Sequence, residues 1–279
     1  MTTFIIISAS VVAFLLLSFL FYLFLIKPEK REGMEKLLSK RYAHRGLHNE
    51  ERAENSLSAF RAAVEAGYGI ELDVRLSSDG ELVVFHDDTL KRVCGVEGRV
   101  DAFTAEELSH MDLCNTGEGI PTFREVLSLV SGKVPLLVEI KEDAGKYGVT
   151  EKTLEMLREY SGDYMIESFN PLALARVRKL MPEACRGILS QTFLREKEYR
   201  TPTHLLLQLL ALNVICRPHF VAFNIKHARN AALRLVKGIY RVPTLSWTVR
   251  STAEEALSRK CGFDTAIFED HLPSPESGE

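Results

Sequence analysis

Ile70-Glu71-Leu72-Asp73-Val74-Arg75-Leu76-Ser77-Ser78-Asp79-Gly80-Glu81-Leu82-Val83-Val84-Phe85-His86-Asp87 carries the pattern that decides the fold. Ile70–Val74 and Leu82–Phe85 are short apolar runs, and Asp79-Gly80 between them is a hairpin-type turn signal. In the first run Glu71 and Asp73 are two apart, so both carboxylates project from one face of a strand. The second run ends in His86-Asp87.

Further out, similar runs recur at Tyr42–His44, Leu136–Ile140, Tyr164–Ser168, Gly187–Leu189, Val221–Asn224, Thr244–Thr248 and Ala266–Phe268. Helical patterns lie between most of them. Ser56 to Ala66 places Leu57, Phe60, Ala63 and Val64 on one stripe and stops at Gly67. Thr104…Glu107, Thr122…Glu125 and Ser251…Glu254 have capping-box spacing. This alternation predicts a parallel α/β fold, and about 240 residues after the N-terminal segment suit one (β/α)8 barrel. Nine runs exceed the eight that close a barrel, so the Asp79-Gly80 turn predicts that one of its two runs sits partly outside. Asp88–Gly119 reads as an excursion with one short helix, and residues 274–279 as a frayed tail.

The net charge of −3 gives no sign of a general nucleic-acid binder, and none is expected as a partner. Cys94, Cys114, Cys185, Cys216 and Cys261 are odd in number and lack zinc or redox spacing; they read as small buried core residues.

Phe4 to Ile26 is uncharged and almost wholly apolar. As a helix it would be roughly 34 Å long, enough to cross a bilayer core. No basic residue precedes it and Lys27-Pro28 follows at once, which favours an uncleaved single-pass anchor (residues 1–27) over a signal peptide. Lys27, Lys30, Arg31, Lys36, Lys40 and Arg41 all follow the span, which places the domain behind it in the cytoplasm. Residues 28–41 read as a charged linker, with Glu29–Ser39 either linker or short helix, standing a barrel of residues 42–273 off the membrane. The apolar run Leu205–Cys216 reads first as a deeply buried helix and second as a face resting on the membrane.

Polar residues cluster at predicted strand ends: His44-Arg45, Glu71 with Asp73, His86-Asp87, and Glu139-Ile140-Lys141. A barrel builds its active site there. Two carboxylates about 4 Å apart repel by about 4 kcal/mol at an effective dielectric of ~20, so a proton or a cation sits between them. Glu139 is a candidate third ligand. Three carboxylates without thiolate favour Mg²⁺ or Ca²⁺. His44 and His86 are the candidate acid/base pair. Arg45 offers a fork for phosphate oxygens and Lys141 a point charge. Asp87 reads as capping the following turn rather than orienting His86. The set describes a phosphate-ester site.

At these residues the sequence resembles the glycerophosphodiester phosphodiesterase family. The matching stretches are Ala43-His44-Arg45-Gly46, Glu54-Asn55-Ser56, Glu71-Leu72-Asp73-Val74, Val84-Phe85-His86-Asp87-Asp88, Ile120-Pro121-Thr122, Glu139-Ile140-Lys141 and Ser246-Trp247-Thr248-Val249. The resemblance implies a (β/α)8 TIM barrel and hydrolysis of glycerophosphodiesters to glycerol 3-phosphate and an alcohol. It implies a divalent cation on Glu71, Asp73 and Glu139, proton transfer by His44 and His86, and Arg45 and Lys141 on the phosphate. Asn55 either orients ligands or caps the helix beginning at Ser56, and Trp247 either walls the substrate pocket or fills the barrel mouth. The family often closes with Thr-Asp-x-Pro, whereas Phe268-Glu269-Asp270-His271-Leu272-Pro273 stands here. Two further readings compete: a phosphodiesterase acting on lysolipids or lipid-linked polymers at the membrane, and a non-catalytic tethered module binding phosphodiesters.

Overall fold

The computed structural model describes residues 2–142, 148–195 and 197–273; the expected tail 274–279 lies outside them. All nine predicted strands form: β1 (Tyr42–Ala43), β2 (Gly69–Leu76), β3 (Leu82–Val84), β4 (Leu136–Ile140), β5 (Tyr164–Ser168), β6 (Arg186–Ser190), β7 (Phe220–Asn224), β8 (Thr244–Val249) and β9 (Thr265–Phe268). Parallel pairing runs β2-β4-β5-β6-β7-β8-β9-β1 and closes where Tyr42 meets Gly69 and Ala43 meets Ile70. The closed sheet is an eight-stranded TIM-like barrel. The ninth strand, β3, pairs antiparallel with the far end of β2, Val74 opposite Val84, beyond the point where the short β1 has turned away. The Asp79-Gly80 hairpin thus leaves its second run outside the barrel.

The local signals act as read. Ser56 caps the helix Leu57–Glu65 by accepting from Ala59 N–H. Thr104 and Thr122 form complete capping boxes with Glu107 and Glu125. Ser251 accepts from Glu254 N–H, but Glu254 reaches back to Arg250 N–H at 2.7 Å rather than to its own cap residue. Outward-facing Ile70, Leu72, Val74, Leu136, Val138 and Ile140 join the layer between sheet and helices. Inward-facing Leu137, Met165, Leu189, Phe220, Ala222 and Leu245 fill the barrel. Two glycines make that filling possible. A Cβ on Gly69 would lie 2.7 Å from the Tyr42 ring, and one on Gly187 would lie 2.1 Å from the Phe220 ring.

Four details depart from the sequence reading. Residues 28–41 do not simply stand the barrel off: Met34 and Leu37 bury themselves in the barrel's inner core, and Tyr42 Oη donates to Leu37 O at 2.9 Å. Burying two such side chains stabilises by about 1.5–3 kcal/mol each, so the charged segment also plugs the barrel floor. The excursion after β3 holds two short helices, Lys91–Cys94 and Ala105–Ser109, around a small core of its own including Phe85, Leu90, Leu108 and Leu113. Leu205–Cys216 is not one buried helix. Pro202–Gln208 and Asn213–Cys216 are separate, Leu210 between them takes a left-handed φ of 55°, and Leu205 and Leu206 are each 40% exposed. Of the cysteines only Cys185 and Cys216 are buried, and Cys114 is exposed.

The helix Thr2–Ile26 contains one stretch, Ile6–Ile26, long and apolar enough to cross a membrane, with mean hydropathy 2.6. Its apolar side chains from Ile6 to Phe21 stand exposed, and only its last turns touch the barrel.

Candidate active site

Alternation along β2 sends Ile70, Leu72 and Val74 outward, which forces Glu71 and Asp73 inward. Strand register then sets Glu139 opposite Asp73, and Glu167 opposite Glu139. One oxygen each of Glu71, Asp73 and Glu139 lies within 4.8 Å of the others, and all three side chains are buried. The expected ligand set is therefore brought together. Glu167, only 1% exposed, is a fourth carboxylate that the sequence reading missed. Its signal was present: an acid inside the apolar strand Tyr164–Ser168, where an unpaired charge is costly.

The loop after β1 wraps this cluster. Arg45 and Asn55 both adopt left-handed φ, 56° and 57°, a conformation that costs non-glycine residues about 1–3 kcal/mol each. The geometry repays it. Arg45 N–H donates to Glu71 at 2.9 Å, Asn55 N–H donates to Arg45 O at 2.8 Å, and Asn55 Nδ2 donates to Asp73 at 2.9 Å. Asn55 thus orients Asp73, while Ser56 does the capping. The Arg45 guanidinium is held by Glu54 at 2.8 Å and lies 3.6 Å from Asp73. Lys141 sits between Glu139 at 2.7 Å and Asp73 at 3.1 Å; its ammonium engages carboxylates rather than standing free for phosphate.

Both imidazoles have a carboxylate behind them. His44 Nδ1 meets Glu269 at 2.9 Å, which leaves Nε2 4.0 Å from Glu71. His86 Nδ1 meets Asp87 at 2.6 Å, and Arg92 bridges Asp87 to Glu54. The expectation that Asp87 serves only the turn is corrected, because its carboxylate orients His86. Two bonds from Arg75 to His86 O, at 2.9 and 2.8 Å, fix the loop backbone. Glu269 was also missed. It lies in the stretch that departs from the family's closing motif, and no local pattern ties it to a histidine 225 positions away.

Charge and burial set the protonation. Burial lowers His44 to about 4 despite the opposing pull of Glu269. Burial, reinforced by Asp73 and Glu139, holds Glu71 well above the usual carboxylate range. Burial and Glu139 do the same to Glu167. Glu139 is raised by burial more than Lys141 lowers it. Asp73 goes the other way: burial opposes its ionisation, but Lys141, His86 and Arg45 outweigh it. The site is short of positive charge. Oxygens Asn55 Oδ1 and Glu167 Oε2 are buried without hydrogen-bond partners among the described residues. A buried all-oxygen donor set of this kind fits a hard divalent cation.

His44, Arg45, Glu71, His86, Glu139 and Glu167 line a cavity of about 180 Å³ at the C-terminal end of the barrel, with Trp247 on its wall and Lys226 and Arg250 at its edge. Trp247 stacks edge-on against Phe169 at 5.5 Å, and its Nε1–H has no partner among the described residues. Lys226 and Arg250 were not anticipated; nothing local distinguishes them from surface cations.

Fold and site define a barrel enzyme of phosphate-ester chemistry. The chain belongs to the glycerophosphoryl diester phosphodiesterase family, whose model matches residues 44–272. A glycerophosphodiester phosphodiesterase of Caldanaerobacter subterraneus subsp. tengcongensis is 36% identical over 241 residues, covering 82% of this chain and 93% of its own. The crystal structure of a Thermotoga maritima glycerophosphodiester phosphodiesterase is similar with a TM-score of 0.63 at 26% identity, over 82% of this chain and 94% of that one. An Oleispira antarctica phosphodiesterase, solved with its product sn-glycerol-3-phosphate, shares the fold with a TM-score of 0.68 at 23% identity, over 82% of this chain and 92% of its own.

Proposed function

We propose that this protein hydrolyses glycerophosphodiesters to glycerol 3-phosphate and an alcohol, using a divalent cation, Mg²⁺ or Ca²⁺, and two histidines. One observation carries the reading: three buried acidic side chains offer oxygens within 4.8 Å of one another, with His44 Nε2 4.0 Å from Glu71. Glu71, Asp73 and Glu139 would hold the cation, with Glu167 and Asn55 close behind. When bound, the cation neutralises charge on the phosphoryl oxygens and polarises the phosphorus toward attack.

The remaining work belongs to side chains. Lowered to about 4, His44 is neutral at neutral pH. Its Nδ1–H donates to Glu269, so Nε2 keeps a lone pair directed into the cavity to accept the proton of the attacking oxygen. His86, fixed by Asp87, would protonate the departing alcohol. Arg45, Lys226 and Arg250 would face the phosphoryl oxygens at the mouth, and Lys141 would balance the ligand cluster. A cavity of about 180 Å³ is below the ~300–1,000 Å³ of drug-sized sites. It suits the glycerol-phosphate end and leaves the alcohol toward Trp247.

The proposed organisation is a single-pass anchor, residues 1–27, a floor segment, 28–41, and a cytoplasmic barrel, 42–273. The exposed apolar helix favours a second reading in which the substrate is a membrane lysolipid. Release of the alcohol, choline or ethanolamine, is measured from glycerophosphocholine, glycerophosphoethanolamine and lysophosphatidylcholine, with and without chelator. Turnover that chelator abolishes and Mg²⁺ or Ca²⁺ restores is expected, with His44→Ala and His86→Ala inactive. Full activity in chelator refutes the cation, and inactivity on every diester refutes the enzyme. Faster turnover of the lysolipid selects the second reading.

A further inference from the structure

The N-terminal helix ends in a built junction at the opposite end of the barrel from the catalytic carboxylates. Arg217, just before β7, donates to Phe24 O at 2.9 Å and Lys27 O at 2.8 Å, and its guanidinium lies over the Phe24 ring at 4.7 Å. Tyr240, just before β8, donates to Leu23 O at 2.8 Å. These bonds satisfy carbonyls that a helix C-terminus otherwise leaves unmet. They also leave a cavity of about 510 Å³ lined by Lys27, Lys30, Arg178 and Arg217, with Glu29 the only carboxylate on its wall among the described residues.

Glu29 is shared between the buried Arg186 and the cavity's own Arg178, which leaves Lys27, Lys30 and Arg217 as the cations it does not pair. Its carboxylate meets the buried Arg186 at 2.5 Å and Arg178 at 3.3 Å. Neither Lys27 nor Lys30 has a carboxylate within 4.0 Å among the described residues. The cavity therefore holds uncompensated positive charge. It opens at the depth where the apolar span stops, since Ile26 is the last residue of the span and Lys27 the first charge. Helical spacing puts Leu17, Leu20 and Phe21 on the Phe24 face, each at least 51% exposed. An apolar track thus runs from the membrane core to a basic cavity at headgroup level.

We propose that this junction binds the phosphate headgroup of an anionic phospholipid from the membrane that the helix crosses. The inference rests on the single-pass anchor. The cations would meet the phosphate, Phe24 and the track above it would meet the acyl chains, and occupancy would fix the barrel's orientation on the bilayer.

The test titrates full-length protein in neutral detergent with palmitoyl-oleoyl phosphatidylglycerol, phosphatidylcholine of the same chains, or inorganic phosphate, reading the thermal midpoint. Phosphatidylglycerol is expected to raise the midpoint well above the other two. The exposed pair Lys27→Gln and Lys30→Gln should weaken it by about 25-fold, from about fivefold per cation near a membrane surface. The single tryptophan, Trp247, lies in the catalytic cavity, so its unchanged fluorescence excludes binding there. Equal response to phosphatidylcholine, an equal effect of inorganic phosphate, or wild-type affinity in the double variant overturns the lipid site. Carbonate extraction separates the two layers. Protein released to the supernatant overturns anchor and lipid site together, whereas protein that stays in the membrane without discriminating lipids overturns the lipid site alone.

Discussion

Glu269→Gln removes a charge from behind His44 while keeping the side chain's size. In the native site the Glu269 carboxylate accepts from His44 Nδ1 at 2.9 Å and is itself met by Arg250 at 2.5 Å and His48 at 3.5 Å. A hydrogen bond to a charged group contributes about 1.5–3 kcal/mol, and each ~1.36 kcal/mol in barrier is tenfold in rate. The variant should therefore lose about 10- to 160-fold in kcat/KM. The amide can also turn its NH₂ toward Nδ1, which would put the proton on Nε2 and remove the acceptor. Glu269 raises His44 against the lowering effect of burial. Removing it lowers His44 further, so the acid limb of kcat/KM moves to lower pH. The assay is glycerol 3-phosphate release from glycerophosphocholine across pH 3–8, with thermal melting to confirm an intact fold. A kcat/KM within twofold of wild type and an unmoved acid limb would refute the assignment of Glu269 as the residue that positions His44.

Glu167→Gln should leave the thermal midpoint in chelator nearly unchanged, because burial and Glu139 already favour the protonated acid. The same variant should need more Mg²⁺ or Ca²⁺ for half-maximal activity, and an unchanged cation requirement counts against Glu167 as part of the ligand surroundings. Gly187→Ala drives a methyl to within 2.1 Å of the Phe220 ring, which should cost about 1–3 kcal/mol in urea denaturation; a neutral substitution would mean the barrel interior is loosely filled. His219, buried beside Arg186 N–H and lowered to about 3 from 6.5 chiefly by burial, must stay neutral in the fold. Between those values the unfolded chain binds the extra proton, so this contribution is whole above pH 6.5 and is lost as pH falls toward 3. Stability measured from pH 7 to 4 should fall less steeply in His219→Gln than in wild type, and identical slopes would remove His219 from acid unfolding.

Local rules made much of the molecule legible. Two-residue alternation in Ile70–Val74 fixed that Glu71 and Asp73 share a face, and it needed nothing beyond the strand itself. Capping at Thr104 and Thr122 spans three residues and held completely. At Ser251 it held by half, because Arg250 N–H competed for the same glutamate. The Asp79-Gly80 turn correctly turned a ninth strand out of an eight-stranded barrel. Short-range geometry and burial are enough for all of these.

The barrel's closure decided the rest. Glu167 joins the carboxylate cluster only because register places it opposite Glu139, and Glu269 reaches His44 only because β9 closes against β1. Met34 and Leu37 lie in a stretch dominated by charge, and only the open floor of a barrel gives them somewhere to go. Lys226 and Arg250 look like any surface cation until the ends of β7 and β8 bring them to one mouth. The sequence by itself determined which residues form strands and which side chains share a face, because those depend on neighbours a few positions apart. Tertiary structure alone decided which distant charges meet, since that depends on strand order and register around a closed sheet.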